Sequence, residues 1–131
     1  MAGKKDKVKD SERFSIITKN LSVCYMCGSH DGVQLHEIFF GPNRARSKED
    51  GMVVPLCSLC HKDSPRAVHR NATTDNALKK VGEKYWLLAN CDSDDTAEKG
   101  KEKFIKRFNR NYLELEEIEH VLLEVRNGRQ E

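Results

Sequence analysis

No run of apolar residues in this chain is long enough to cross a membrane, which excludes a transmembrane helix as its organising element. The charged start, MAGKKDKVKDSE, has no apolar segment behind it, so no secretory leader is expected and the chain is expected in the cytoplasm. No repeat and no low-complexity segment is visible. A strong net charge is missing too. The 23 basic and 21 acidic residues leave a formal charge of +2, so partners must be read from where the charges sit. Apolar content is low, at 37% hydrophobic against 34% charged in 131 residues. A core that modest needs a staple.

The staple is legible in the cysteines. Cys24-Tyr25-Met26-Cys27-Gly28 is the shape of a metal knuckle, a tight turn that lets two thiolates face one ion. Gly28 relieves the backbone just after the turn. Cys57-Ser58-Leu59-Cys60 repeats the spacing, with room for a β-hairpin between the two pairs. In a reducing cytoplasm such pairs are metal ligands rather than disulfides. Redox-active pairs of the thioredoxin type come singly beside a βαβ pattern, which is absent here. Four sulfurs point to a closed, tetrahedral structural Zn²⁺ site. Cys91 is the odd thiol, structural or idle.

Val33 to Phe40 is rich in β-branched and aromatic residues and ends at Gly41-Pro42, which predicts a strand. Pro42 to Gly51 is polar and basic and reads as a loop. Met52 to Leu56 supplies the partner strand. A short helix is expected from about Ser58, carrying His61 and ended or bent by Pro65. Asn71 to Asn76 is a polar spacer in which Thr74 or Asp75 can cap a helix over Ala77 to Ala89. Cys91 to Gly100 is a charged connection. Its Asp92, Asp94 and Asp95 lack the spacing of a Ca²⁺ loop. Glu102 to about Arg126 reads as one helix with Phe104, Phe108, Leu115, Ile118, Leu122 and Val125 in a stripe, and Gly128 as its stop. That stripe packs on the domain's own core or serves a second copy or another partner; both uses stay open.

Charge is unevenly placed. Arg44, Arg46 and Lys48 cluster between the strands, Arg66 and Arg70 follow the second cysteine pair, and the acidic residues concentrate late. A basic middle fits a face that meets a polyanion, or an ordinary solvated surface. Lys4, Lys5, Lys7 and Lys9 at the charged start allow the same two uses. His36 on the first strand, His61 after the second knuckle and His69 beyond it can converge if the hairpin folds against the helix. Three imidazoles suit Zn²⁺, Mn²⁺ or Ni²⁺, with open positions for a phosphate oxygen.

Leu35-His36-Glu37-Ile38-Phe39-Phe40-Gly41, Asn43-Arg44, Val53-Val54-Pro55-Leu56-Cys57-Ser58-Leu59-Cys60-His61 and Val68-His69 together resemble the small HNH endonucleases of phages and prophages. Phe104 to Phe108 with Asn111-Tyr112-Leu113 is similar to a segment that often closes those proteins. The resemblance implies an α+β fold: a ββα-metal core stapled by a four-cysteine zinc, followed by C-terminal helices. The alternating charges of residues 1–12 read as a flexible tail, with the core expected over 13–75 and a helical extension packing on it over 76–131. His36 then matches the first metal ligand, His61 the final histidine of the motif, and His69 a further histidine common in these proteins. Glu37 stands at the general-base position, where the family normally has histidine. The family's asparagine falls close to Met52, with Asn43 as its substitute or the role absent. The implied activity is hydrolysis of DNA phosphodiesters with a divalent ion, Mg²⁺, Mn²⁺, Ni²⁺ or Zn²⁺, inside a bacterial host cell. His36, Glu37 and His61 would be catalytic, and Arg44, Arg46, Arg66 and Arg70 would meet DNA. A phage protein or a second copy would dock on the C-terminal helix. Two alternatives need less: a zinc-stapled nucleic-acid-binding module, and a zinc-containing adaptor for a protein partner.

Overall fold

The computed structural model describes residues 8–128, so Lys4, Lys5 and Lys7 of the expected tail lie outside the described residues. The fold is mixed α+β, with one two-stranded antiparallel sheet and four α-helices among the described residues. The chain divides into two compact units, Met1–Leu78 and Lys79–Glu131. None of the described helices is long and apolar enough to cross a membrane.

In the first unit, β1 (Gln34–Glu37) pairs with β2 (Val53–Leu56), His36 facing Val54 and Glu37 facing Val53. β2 is buried along its whole length. Ile38, Phe39, Met52, Val53, Val54, Leu56, Ala67 and Val68 form the apolar interior. Burying a Val or Leu side chain is worth about 1.5–3 kcal/mol. The core is nevertheless small.

The stretch between the strands, expected as a loop, is ordered instead. Gly41–Asn43 make a 3₁₀ turn and Arg44–Glu49 form a helix, α1. Pro42 presets the first turn, and Arg, Ala, Lys and Glu are good helix formers. Ser47 fixes the element from within. Its buried hydroxyl accepts from Phe39 N at 3.1 Å and donates to Met52 O at 2.7 Å. The N-terminal segment also closes on this hairpin: Ile16 N donates to Gly51 O at 3.0 Å. Gly51 has φ +72°, and a Cβ there would lie 2.6 Å from the Phe14 ring.

The knuckles are tied to the same frame. Tyr25 N donates to Pro55 O at 2.8 Å, and Gly28 N closes the first turn on Cys24 O at 2.9 Å. The short helix expected from Ser58 is a single π-type turn, Leu59–Asp63. Val68 N then donates to Cys60 O at 2.9 Å and His69 N to His61 O at 3.1 Å. The chain thus doubles back and sets His69 beside His61.

α2 spans Ala72–Asn90, starting five residues earlier than expected. Asn71, rather than Thr74 or Asp75, caps it, accepting from Thr74 N at 3.1 Å. In the second unit the long helix expected over 102–126 is two helices, α3 (Ala97–Phe108) and α4 (Leu115–Arg126). Asn109 breaks the run in the left-handed region at φ 68°. The buried Glu83 carboxylate takes the freed backbone donors, accepting from Tyr112 N at 2.7 Å and Leu113 N at 3.1 Å. α3 begins inside the segment read as a connection, because Thr96 caps it through Lys99 N at 3.1 Å. Phe104, Phe108, Ile118 and Leu122 of the stripe are buried, with the Trp86 and Phe104 rings 5.5 Å apart, whereas Leu115 is 40% exposed.

Candidate metal centres

Cys24, Cys27, Cys57 and Cys60 come together at the base of the hairpin. Their sulfurs all lie within 4.8 Å of one another, close enough to hold a metal ion such as zinc. The Cys27 and Cys57 sulfurs are 3.5 Å apart. Two thiolates on one tetrahedral zinc stand about 3.8 Å apart for Zn–S bonds of about 2.3 Å. The donor set therefore fits a four-sulfur ion with little movement. Burial raises the Cys24 thiol, but hydrogen bonds at the backbone of Cys57, Cys27 and Met26 outweigh it and bring the group down to about 6. Cys60 is pushed up, by burial and by the neighbouring thiols. Cys91 is not one of the clustered thiols; it is buried and raised to about 11 by desolvation.

His36, His61 and His69 form the second cluster, each offering one nitrogen within the same 4.8 Å limit. His36 reaches it from β1, His61 from the π turn and His69 from the doubled-back segment. The Nε2 atoms of His61 and His69 are 3.0 Å apart, and the His36 ring lies 5.1 Å from that of His61 and 5.0 Å from that of His69. Nitrogens sharing one ion at about 2.1 Å are separated by about 3.0–3.4 Å, so this trio also fits. Burial, reinforced by the His69 and Lys62 charges, lowers His61 to about 4. Its ring is therefore neutral at pH 7, as a metal ligand must be. Its buried Nδ1 has no hydrogen-bond partner among the described residues, while its Nε2 faces that of His69.

The two clusters differ in the number of ligands. Four sulfurs can fill a tetrahedral shell, whereas three imidazoles leave positions open, and each cluster has one exposed member, Cys27 in the first and His69 in the second. The imidazoles line a cavity of about 600 Å³, together with Phe40, Glu37, Arg44, Lys62 and two residues from the N-terminal segment, Asp10 and Arg13. His36 and His61 are buried and His69 is exposed, so the trio opens on one side.

Glu37 is buried between two guanidinium groups. Arg13 Nη1 donates to Oε2 at 2.6 Å and Arg44 Nε to Oε1 at 3.2 Å. Burial by itself would raise this carboxyl; the two arginines more than reverse that and hold it below the usual carboxylate value. Of the expected basic residues, Arg44 lines the cavity. Arg46, Arg66 and Arg70 are exposed and do not line it, and Arg70 donates to Asp63 O at 2.9 Å. Arg13 and Asp10 carry no sequence signal toward the site. They stand more than twenty residues before β1, with no motif linking them to it. Comparisons of the chain with protein-family models, with curated proteins and with solved structures gave no match.

Proposed function

We propose that this chain is a metal-dependent DNA endonuclease of the HNH kind, its hairpin stapled by zinc on Cys24, Cys27, Cys57 and Cys60. The observation that carries the reading is the open trio of His36, His61 and His69 lining a cationic cavity beside a separate, closed four-sulfur cluster. Three ligands with open positions suit catalysis, whereas four suit structure.

His36, His61 and His69 would hold the divalent ion. When bound, that ion supplies positive charge for the scissile phosphate and the departing oxygen. Arg44 offers a cationic donor at the cavity wall. Phe40, with its ring 5.7 Å from that of His36 and 5.2 Å from that of His69, screens one side of the trio. Glu37 occupies the base position of the motif, but each of its oxygens accepts from an arginine. It is thereby suited to holding those guanidinium groups rather than to taking a proton.

The same clamp favours one other reading, a module that binds DNA through Arg13, Arg44 and Lys48 without cutting it. Incubation with supercoiled plasmid, with and without Mg²⁺, Mn²⁺ or Ni²⁺, separates the two. Nicking that requires an added ion is the expected result. Folded, zinc-loaded protein that nicks under none of these ions sinks the nuclease reading.

A further inference from the structure

The cavity rim already binds an anion, and that anion belongs to the chain. Asp10 Oδ1 accepts from Lys48 Nζ at 2.9 Å and from Arg44 Nη2 at 3.5 Å. Two cations from α1 thus converge on one carboxylate oxygen. Lys48 is largely covered, its side chain 13% exposed, while that of Asp10 is 60% exposed. Lys48 is fixed by its burial and Arg44, whose side chain is 48% exposed, by its bond to Glu37, so the anion is the replaceable part. An ion pair with so exposed a partner contributes little, so a better anion displaces it readily.

The rim is also preset. Glu37 Oε1 holds Arg44 Nε and Glu37 Oε2 holds Arg13 Nη1, while Arg13 Nε donates to Asp10 O at 3.1 Å. Glu37, Arg13, Asp10 and Arg44 therefore close a ring of hydrogen bonds at the edge of the three-histidine cavity. Counting Lys48, this network carries three positive and two negative side chains. Withdrawing the Asp10 side chain leaves two positive charges in excess, matched to a nucleic-acid backbone.

We propose that Arg44 and Lys48 form a subsite for a DNA backbone phosphate, that Asp10 occupies it as an internal stand-in until DNA arrives, and that Glu37 and Arg13 are positioning residues for Arg44. The proposal rests on the reading that the cavity meets DNA, and it adds where one phosphate docks and what it displaces. It makes the N-terminal segment a competitor for the site.

The test is the affinity of the full, zinc-loaded chain for a fluorescein-labelled DNA duplex. Fluorescence anisotropy is read over a series of salt concentrations without added divalent ion. Asp10→Asn removes the competing charge from an exposed position and leaves the backbone contacts in place. It should tighten binding by roughly fivefold at low salt and make the salt dependence steeper by about one phosphate's worth of counterion release. Lys48→Ala should weaken binding and flatten that dependence by a similar amount, and Asp10→Asn should then gain much less. Arg44→Lys should recover part of what Arg44→Ala loses. If Asp10→Asn binds like the wild type with the same salt dependence, or if no variant binds the duplex, the subsite is wrong. Plasmid nicking by the same proteins is scored separately. Loss of nicking with the Asp10 effect on binding intact sinks the nuclease reading and leaves the subsite standing.

Discussion

Arg13 Nη1 lies 2.6 Å from Glu37 Oε2, a contact that joins the N-terminal segment to the first strand across 24 residues of sequence. Arg44 approaches the other carboxylate oxygen, and Arg13 also donates to Leu35 O at 3.2 Å. The Glu37 carboxylate is thereby bound on both sides.

Glu37→Gln should accordingly raise KM more than it lowers kcat, with kcat falling by less than about tenfold. Loss of a general base would lower kcat by about 10²–10⁴. The same variant should lose about 2 kcal/mol of stability, because two guanidinium groups lose their charged partner. Steady-state cleavage kinetics and urea unfolding measure the two effects. A kcat loss of the larger size, with KM unchanged, would return Glu37 to the role of base.

If zinc fills the four-sulfur cluster, as proposed, removing it should unfold the first unit. Its interior is short of apolar mass, and structural zinc contributes about 10–16 kcal/mol of apparent binding energy in small zinc domains. Cys57→Ala should lose about one zinc per chain by atomic emission and lose the cooperative thermal transition of residues 8–78. A variant that melts like the wild type without zinc would show that the hairpin needs no staple.

Gly51→Ala tests how the N-terminal segment is seated. The residue has φ +72°, and an added Cβ would meet Phe14 Cε2 at 2.6 Å and Ile16 Cγ2 at 2.9 Å. A loss of about 1–3 kcal/mol is expected in urea unfolding. Phe14→Ala in the same chain should recover part of it, because the clash has lost its partner. Strict additivity of the two changes would mean that Phe14 does not sit there in solution.

Glu83 gives the second unit a pH dependence. Burial raises this carboxyl to about 7; the Tyr112 and Leu113 amides oppose that, Glu117 adds to it and Lys101 acts against it. The folded state therefore binds the proton more tightly than the unfolded state. Stability from this group is fully present below about pH 4.5 and is lost as pH rises towards about 7. Glu83→Gln should remove that slope and stabilise the unit near pH 8 by on the order of 2 kcal/mol, a tenfold difference in proton affinity being worth about 1.4 kcal/mol. Thermal melts from pH 4 to pH 8 decide it. A glutamine variant with an unchanged slope would assign the titration to another group.

The sequence carried the cysteine pairs and the hairpin because both are local signals: a two-residue spacing, and β-branched runs stopped by Gly41-Pro42 and Gly51. It also carried the three histidines as candidates, since the knuckles limit where they can go. α1 was hidden because its polar run, Arg44–Glu49, has only Ser47 buried, and no apolar period marks it. The break between α3 and α4 was hidden because the apolar stripe continues in phase across Asn109. The helix stops where Asn109 turns left-handed, and the segment after it is held by Glu83, nearly thirty residues before Tyr112. Arg13 and Asp10 were hidden for the same reason: charged residues on a polar segment show no periodicity, and only the folded backbone brings them to Glu37 and Arg44.

The central claim is that the three-histidine cluster is a cutting site. It is tested most directly by the single-turnover rate of plasmid nicking with saturating Mn²⁺, wild type beside His61→Ala, each zinc-loaded and folded by circular dichroism. The wild-type rate should require the ion, and it should fall by at least about 100-fold in the variant. Equal rates in the two proteins would contradict the claim.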